Sequence, residues 1–360
     1  MTGTHTITVE PLGREVQCRE DQTILDACLR AGVWLPHSCT HGTCATCKVE
    51  LLDGDVDHGE ASGFALMDFE REEGKTLTCC ARPETDVTLE ADIDVDEELE
   101  VFPVEDFAGT IVELADISAD VKRLRIELDR DLGFNAGQYL RVEVPGTDGI
   151  DRTWSMANPP TENRIVEFQV RLVPGGLATE GWLWKNAAVG DEVKLSGPYG
   201  RFVLRTWEED KPIVMLAGGT GLAPLASMVR HALENEAYEG EIVLYAGAAT
   251  RDHLYDVEVF RELAEEYADQ FTFHACVADG GGAEGEEGDG YRVGFVNQVM
   301  EADFENLKGY QGYMCGSPGM VEACLKSMMG KRLFPRDIFH EDFFNEGDKA
   351  SGVGSPLIKR

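Results

Sequence analysis

Positive charge is scarce in this chain: 32 Lys and Arg stand against 67 Asp and Glu in 360 residues, a formal net charge of −35. Nucleic acids and anionic membrane surfaces are bound through basic footprints that displace counterions, so this balance argues against both as partners. Also missing is any stretch near the roughly 18 uninterrupted apolar residues of a membrane span. The opening MTGTHTITVEPLG lacks the basic start and apolar core of a secretory signal. A soluble, cytoplasmic monomer is the expectation. No internal repeat is evident, and the one low-complexity stretch, DGGGAEGEEGDG, is acidic and carries no chemistry.

What is present suits several folding units, because 360 residues exceed what one core ordinarily organises. Residues 1–100 read as a compact α+β module. HTITVE and EVQCRED suggest a hairpin, TILDACLRAG an amphipathic helix closed by glycine, and FALMDFEREEG a second helical piece. Acidic IDVDEELEVFPVED follows as a linker. Over 101–208 short strand patterns with frequent turn residues predict an antiparallel barrel. Over 209–360 apolar strands alternate with helices, PIVMLAGGTGLAPLASM being the first such unit, which predicts a doubly wound parallel sheet.

Ten cysteines in a reducing compartment favour metal or cluster ligation over disulfides. Cys39, Cys44 and Cys47 are spaced C-x4-C-x2-C, and 31 residues separate Cys47 from Cys79. That is the plant-type spacing for a 2Fe–2S cluster, whose two irons and bridging sulfides are best balanced by four soft thiolates. A four-cysteine zinc site would normally show two C-x2-C knuckles, and one is present. Gly42, Thr43, Ala45 and Thr46 are small enough to let backbone N–H groups approach the sulfurs. Cys79 and Cys80 both stand where the fourth ligand belongs; strand alternation favours Cys79, with its neighbour facing away. Cys18, Cys28, Cys276 and Cys324 sit in strand or helix patterns and read as core.

The first module, from the helix to the LTC ending in Cys79, resembles a plant-type ferredoxin of the β-grasp fold. DRTWSMANPP resembles the R-x-Y-S or R-x-F-S flavin motif of the ferredoxin reductase family, with Trp in the aromatic place. The resemblance implies FAD held by Arg152, Thr153, Trp154, Ser155 and Val170. VRLVPGGLATEGWLW resembles the family's second phosphate segment, implying backbone donors at Gly176, Leu177 and Ala178 and a hydroxyl at Thr179. GPYGRF from Gly197 resembles the turn that closes such barrels. Gly218, Gly219, Thr220 and Gly221, with Pro224, resemble the family's G-G-S/T-G-x-x-P nucleotide motif, and Cys315, Gly316, Ser317 and Pro318 its C-G-P-P segment beside the nicotinamide. IFHEDFF resembles the tail that covers the flavin through Glu341 and Phe343. Ser155, Cys315 and Phe343 are thereby the candidate residues beside the hydride path. Adjacent Arg251 and Asp252 leave the choice of NADH or NADPH open by spacing; the resemblance favours NADH.

In this order the three parts resemble the reductase components of soluble diiron multicomponent monooxygenases, of the phenol hydroxylase and methane monooxygenase type. GVWLPHSCTHGTCATCKVELLDGDVDHGEASGFALMD and LFPRDIFHEDFF carry that closer likeness. It implies an oxidoreductase of aromatic hydrocarbon catabolism passing electrons from NADH through FAD and the cluster to a diiron hydroxylase. Two other readings remain: a reductase serving a Rieske-type ring-hydroxylating dioxygenase, and a non-catalytic electron carrier or binding module. Up to Glu105 about 24 acidic residues face about 7 basic ones, a candidate docking surface.

Overall fold

A computed structural model describes residues 3–38, 40–93, 98–207, 211–235, 237–278 and 290–343. The chain divides into two compact units between Glu105 and Asp106.

In the first unit, β1 (Thr4–Glu10) and β2 (Arg14–Arg19) pair antiparallel, turning Ile7, Val9, Val16 and Cys18 inward. Helix α1 (Ile24–Arg30) starts where the Thr23 hydroxyl accepts from the Asp26 N–H at 3.3 Å and stops before Gly32, whose φ of +68° suits glycine. β3 (Lys48–Asp53), β4 (Val56–Asp57), α2 (Asp68–Glu72), β5 (Lys75–Leu77), β6 (Arg82–Pro83) and β7 (Val87–Glu90) complete it. The sheet runs β2-β1-β7-β3-β5, with β1 and β7 parallel and the other neighbours antiparallel, while β4 and β6 pair separately. The second helical piece is shorter than its sequence suggests, because Phe64, Met67 and Phe69 are exposed and no packed face extends it.

The second unit begins with a six-stranded antiparallel sheet of order β11-β10-β13-β8-β9-β12. Its strands are β8 (Glu105–Asp116), β9 (Val121–Leu128), β10 (Tyr139–Glu143), β11 (Asp151–Ser155), β12 (Ile165–Arg171) and β13 (Glu192–Tyr199). A bridge between Met156 and Phe168 brings the end of β11 to β12, so the edge strands nearly close a barrel around Leu124, Ile126, Leu140 and Phe168. Gly197 and Pro198, expected in a closing turn, are residues of β13.

A parallel sheet of order β17-β16-β15-β14-β18-β19 follows. It comprises β14 (Ile213–Gly218), α3 (Leu222–Glu234), β15 (Ile242–Ala248), α4 (Val257–Glu266), β16 (Phe271–Val277), β17 (Tyr291–Val293), α5 (Val296–Asp303), β18 (Gln311–Gly316), α6 (Pro318–Gly330) and β19 (Ile338–Asp342). Helices cover both faces, so β14 is apolar along its length and β18, which begins with the polar Gln311, is buried along its length, rather than alternating. Chain order reverses between β14 and β18, which opens a crevice beyond their carboxyl ends. Barrel residues Val121, Ala136, Ala157 and Phe202 share one core with Met215, Leu225 and Tyr313, so barrel and parallel sheet are packed as one body.

Candidate redox centre and nucleotide sites

The loop between α1 and β3 is held by backbone in unusual conformations. Thr40, Gly42 and Ala45 all have φ near +60° to +77°. A Cβ on Gly42 would lie 2.7 Å from the Cys80 sulfur, so conformation and space both require glycine. The Ser62 N–H donates to the Gly42 carbonyl at 3.0 Å, tying the loop to the segment before α2. Cys47 and Cys79 are buried, and the Thr78 N–H and hydroxyl both donate to the Cys47 carbonyl, at 3.1 and 3.3 Å. A hydrogen bond between the Cys47 and Cys79 thiols, reinforced by burial, pushes the Cys79 thiol far above its ordinary range. Cys44 is exposed and its sulfur lies 3.2 Å from the Thr46 hydroxyl. Cys39 lies outside the described residues. Among the described residues no three thiol, imidazole or carboxyl groups converge as an ion site.

Strand alternation does not separate Cys79 from Cys80. Residues 78–80 form a turn in which the Cys80 and Ala81 N–H groups both donate to Leu77, so Cys80 keeps its sulfur 3.7 Å from that of Cys79. Cys79 is also in contact with Cys47.

In the barrel, β11 presents Arg152 at its start and Ser155 at its buried end. Trp154 stacks on Trp182 at 6.2 Å, with the rings 7° from parallel, and meets Phe168 at 5.9 Å. Gly176 opens a π-helical turn, Leu177–Leu183, in which Gly181 bonds back to Gly176 and Trp184 to Thr179. The Thr179 hydroxyl, expected to face a phosphate, accepts from the Val173 N–H at 3.1 Å and donates to the Val173 carbonyl at 3.0 Å. It shapes the loop from inside. Beside this turn lies an open cavity of about 400 Å³, lined by Gly146, Thr147, Leu177, Gly181, Trp182 and Asn186.

Beyond β14, Gly219 has a φ of +55° and begins a short turn, Gly219–Gly221, that runs into α3. A Cβ on Gly221 would sit 2.1 Å from the Cys315 carbonyl oxygen, and one on Gly218 would sit 2.6 Å from the Met320 sulfur. The glycines therefore let the ends of β14 and β18 lie against each other. Cys315 is fully buried, and its thiol is pushed well above the usual range by burial and then by the Glu341 and Asp342 carboxylates. A thiol held protonated in this way is no nucleophile. Ser317 precedes α6 with Pro318 at its first position.

Strand β19 joins the two halves of the site. Glu341 lies opposite Cys315, and the Phe343 N–H donates to the Gly316 carbonyl at 2.8 Å. The Ser155 hydroxyl, from the barrel, donates to Glu341 Oε2 at 3.5 Å. Ser155, Cys315, Glu341 and Phe343, scattered over 189 residues of sequence, are thus brought together through β19, where the barrel meets the crevice of the parallel sheet.

Three family models match in succession: the 2Fe-2S iron-sulfur cluster binding domain over residues 7–84, the oxidoreductase FAD-binding domain over 108–204 and the oxidoreductase NAD-binding domain over 215–326. The reductase component of phenol 2-monooxygenase from Pseudomonas sp. (strain CF600) is 45% identical over 358 residues, 99% of both chains. The chain belongs to the reductase components of multicomponent oxygenases. Other relatives of this reductase are the aromatic O-demethylase reductase subunit of Amycolatopsis sp. (strain ATCC 39116 / 75iv2), 41% identical over 94% of this chain and 98% of the relative, and the reductase component of the naphthalene 1,2-dioxygenase system of Pseudomonas putida, 32% identical over 95% and 99%. Among solved structures, an Amycolatopsis cytochrome P450 reductase superposes with a TM-score of 0.84 at 41% identity, covering 94% of this chain and 99% of that one.

The reductase is therefore an oxidoreductase with 2Fe–2S, FAD-binding and NAD-binding domains. Its residues fit these groups: buried Cys47 and Cys79 beside a loop that demands glycine, an aromatic pair beside an open cavity, and a glycine turn at a helix start. Tyr139 escaped the sequence reading, although it pairs with Ser155 across β10 and β11 and stacks on Tyr199 at 5.7 Å. Tyr255 and Asp256 escaped it too. No local motif marks them, because their partners are on distant strands.

Proposed function

We propose that this reductase takes hydride from NADH and delivers single electrons to the diiron hydroxylase of an aromatic-hydroxylating monooxygenase. The observation that carries the reading is the 3.5 Å approach of the Ser155 hydroxyl to Glu341, itself opposite Cys315 in β19. A flavin-side hydroxyl and a nicotinamide-side strand meet there. When bound, FAD converts a two-electron hydride into single electrons, and a plant-type cluster carries them one at a time at about −400 mV.

The division of labour follows the chain: residues 1–100 hold the cluster, 101–208 the FAD and 209–360 the nucleotide, with the tail over the flavin. Cys39, Cys44, Cys47 and Cys79 ligate iron. Arg152 and the N–H groups of Thr153 and of Gly176–Ala178 hold the FAD pyrophosphate, Trp154 and Val170 flank the ring, and Thr179 fixes the loop through Val173. The N–H groups of Gly219–Gly221 receive the NADH pyrophosphate at the start of α3, where the helix dipole favours an anion. Cys315, Gly316, Ser317 and Pro318 line the nicotinamide. Ser155 and Glu341 hold a proton between the two sites, and Phe343 excludes water.

The recipient is supported by the 45% identical phenol 2-monooxygenase relative. A relative of 41% identity is a cytochrome P450 reductase, so the decisive assay offers this reductase and NADH to three purified oxygenases: a diiron phenol hydroxylase, a Rieske dioxygenase and a cytochrome P450 O-demethylase. Product from the first alone is expected. Product from either of the others at a higher rate would move the recipient to that class.

A further inference from the structure

The segment between β15 and α4 is gripped from two sides. On the barrel side, the Ala119 N–H donates to the Asp252 carbonyl at 3.0 Å. The Asp256 carboxylate is 6% exposed and accepts from Arg123 Nη2, on β9, and from Gln169 Nε2, on β12, the latter at 2.9 Å. Asp256 itself has a φ of +55°, a conformation that side chains other than Gly, Asn and Asp rarely adopt, and it stands at the start of α4. On the nucleotide side, Tyr255 is buried and its hydroxyl donates to the Gly219 carbonyl at 3.1 Å. Burial, with the Asp256 carboxylate next in importance, pushes this phenol well above its usual range, so it stays a donor.

We infer that Tyr255 and Asp256 are positioning residues that tie the glycine turn at Gly219 to the barrel, and so set the NADH pyrophosphate cradle relative to the flavin. The inference rests on the proposed role of Gly218–Gly221 in binding NADH. Its physical logic is that a positive-φ glycine turn has several accessible conformations, and only one presents its N–H groups to a phosphate. A buried hydroxyl on the Gly219 carbonyl selects among them. Asp256, anchored to two barrel strands, fixes where that hydroxyl sits. Arg123 and Gln169 act through Asp256, and none of the four side chains needs to touch the nucleotide.

The test is steady-state oxidation of NADH by the full-length holoprotein with ferricyanide as acceptor, for the wild type and for Tyr255→Phe, which keeps the ring and deletes the hydroxyl. The KM for NADH should rise roughly three- to tenfold, the loss of one net hydrogen bond, with kcat within a factor of two and flavin content unchanged. Asp256→Asn, which keeps shape and the Gln169 contact while weakening the Arg123 pair, should shift KM in the same direction. An unchanged KM in Tyr255→Phe overturns the inference. So does a joint fall of kcat and flavin content with KM, which would make Tyr255 a general packing residue. Failure of the wild type to oxidise NADH at all would instead remove the underlying nucleotide reading.

Discussion

The cysteine loop after α1 and the glycine turn after β14 both depend on glycines at positive φ, but they employ opposite parts of the chain. In the first, the chemistry is in side chains: thiols at fixed spacing, with Gly42 making room for the Cys80 sulfur. In the second, the proposed chemistry is in backbone N–H groups, and the glycines bring strands close, as Gly221 does against the Cys315 carbonyl. Side-chain chemistry leaves a spacing that can be read directly. Backbone chemistry leaves only glycines, and the residues that hold the backbone in place come from elsewhere.

If that contrast is right, the two sites should break differently. The largest effect belongs to Cys79→Ser, which should abolish the iron and sulfide content and cytochrome c reduction while NADH–ferricyanide activity persists; Cys80→Ser should retain the cluster. Metal analysis and visible spectra would decide, and a cluster lost from Cys80→Ser but kept in Cys79→Ser would reverse the ligand assignment. Gly221→Ala comes next. The added methyl must displace the end of β18, so a stability loss of about 1–3 kcal/mol is expected, together with a more than tenfold rise in KM for NADH. Thermal melts and ferricyanide assays read both. A normal KM there would show that the turn is not the cradle.

Smaller again is Ser155→Ala. It deletes the donor to Glu341 and should slow reduction of the bound flavin by NADH on the order of tenfold, leaving NADH affinity near that of the wild type. Stopped-flow absorbance at the flavin band separates rate from affinity. Gly42→Ala should cost about 1–2 kcal/mol of stability for a positive-φ alanine and should make the cluster more labile to chelators through pressure on Cys80. An equally durable cluster would mean the loop relaxes freely.

Legibility followed the same division. The barrel and the parallel sheet were readable because strand period, helix period and glycine punctuation agree over long stretches. The place of Cys47 and Cys79 in one motif was readable from spacing, whereas strand alternation gives no ground for choosing Cys79 over Cys80. Alternation assumes a strand, and the backbone turns at Thr78 because the Cys80 and Ala81 N–H groups bond back to Leu77. The Thr179 hydroxyl was read as a ligand donor, yet it closes its own loop on Val173; a threonine near a turn serves both ends equally well in sequence. Tyr255 and Asp256 were invisible because their meaning lies in Gly219, Arg123 and Gln169, which register and packing alone bring near.

The central claim is that hydride enters at the Cys315 crevice and leaves as single electrons through the cysteine loop. The most direct measurement is the anaerobic visible spectrum of the purified reductase before and after one equivalent of NADH. The account predicts that the flavin band and the cluster band bleach together within the same addition. A flavin band that bleaches while the cluster band stays unchanged, or no bleaching at all, would contradict it.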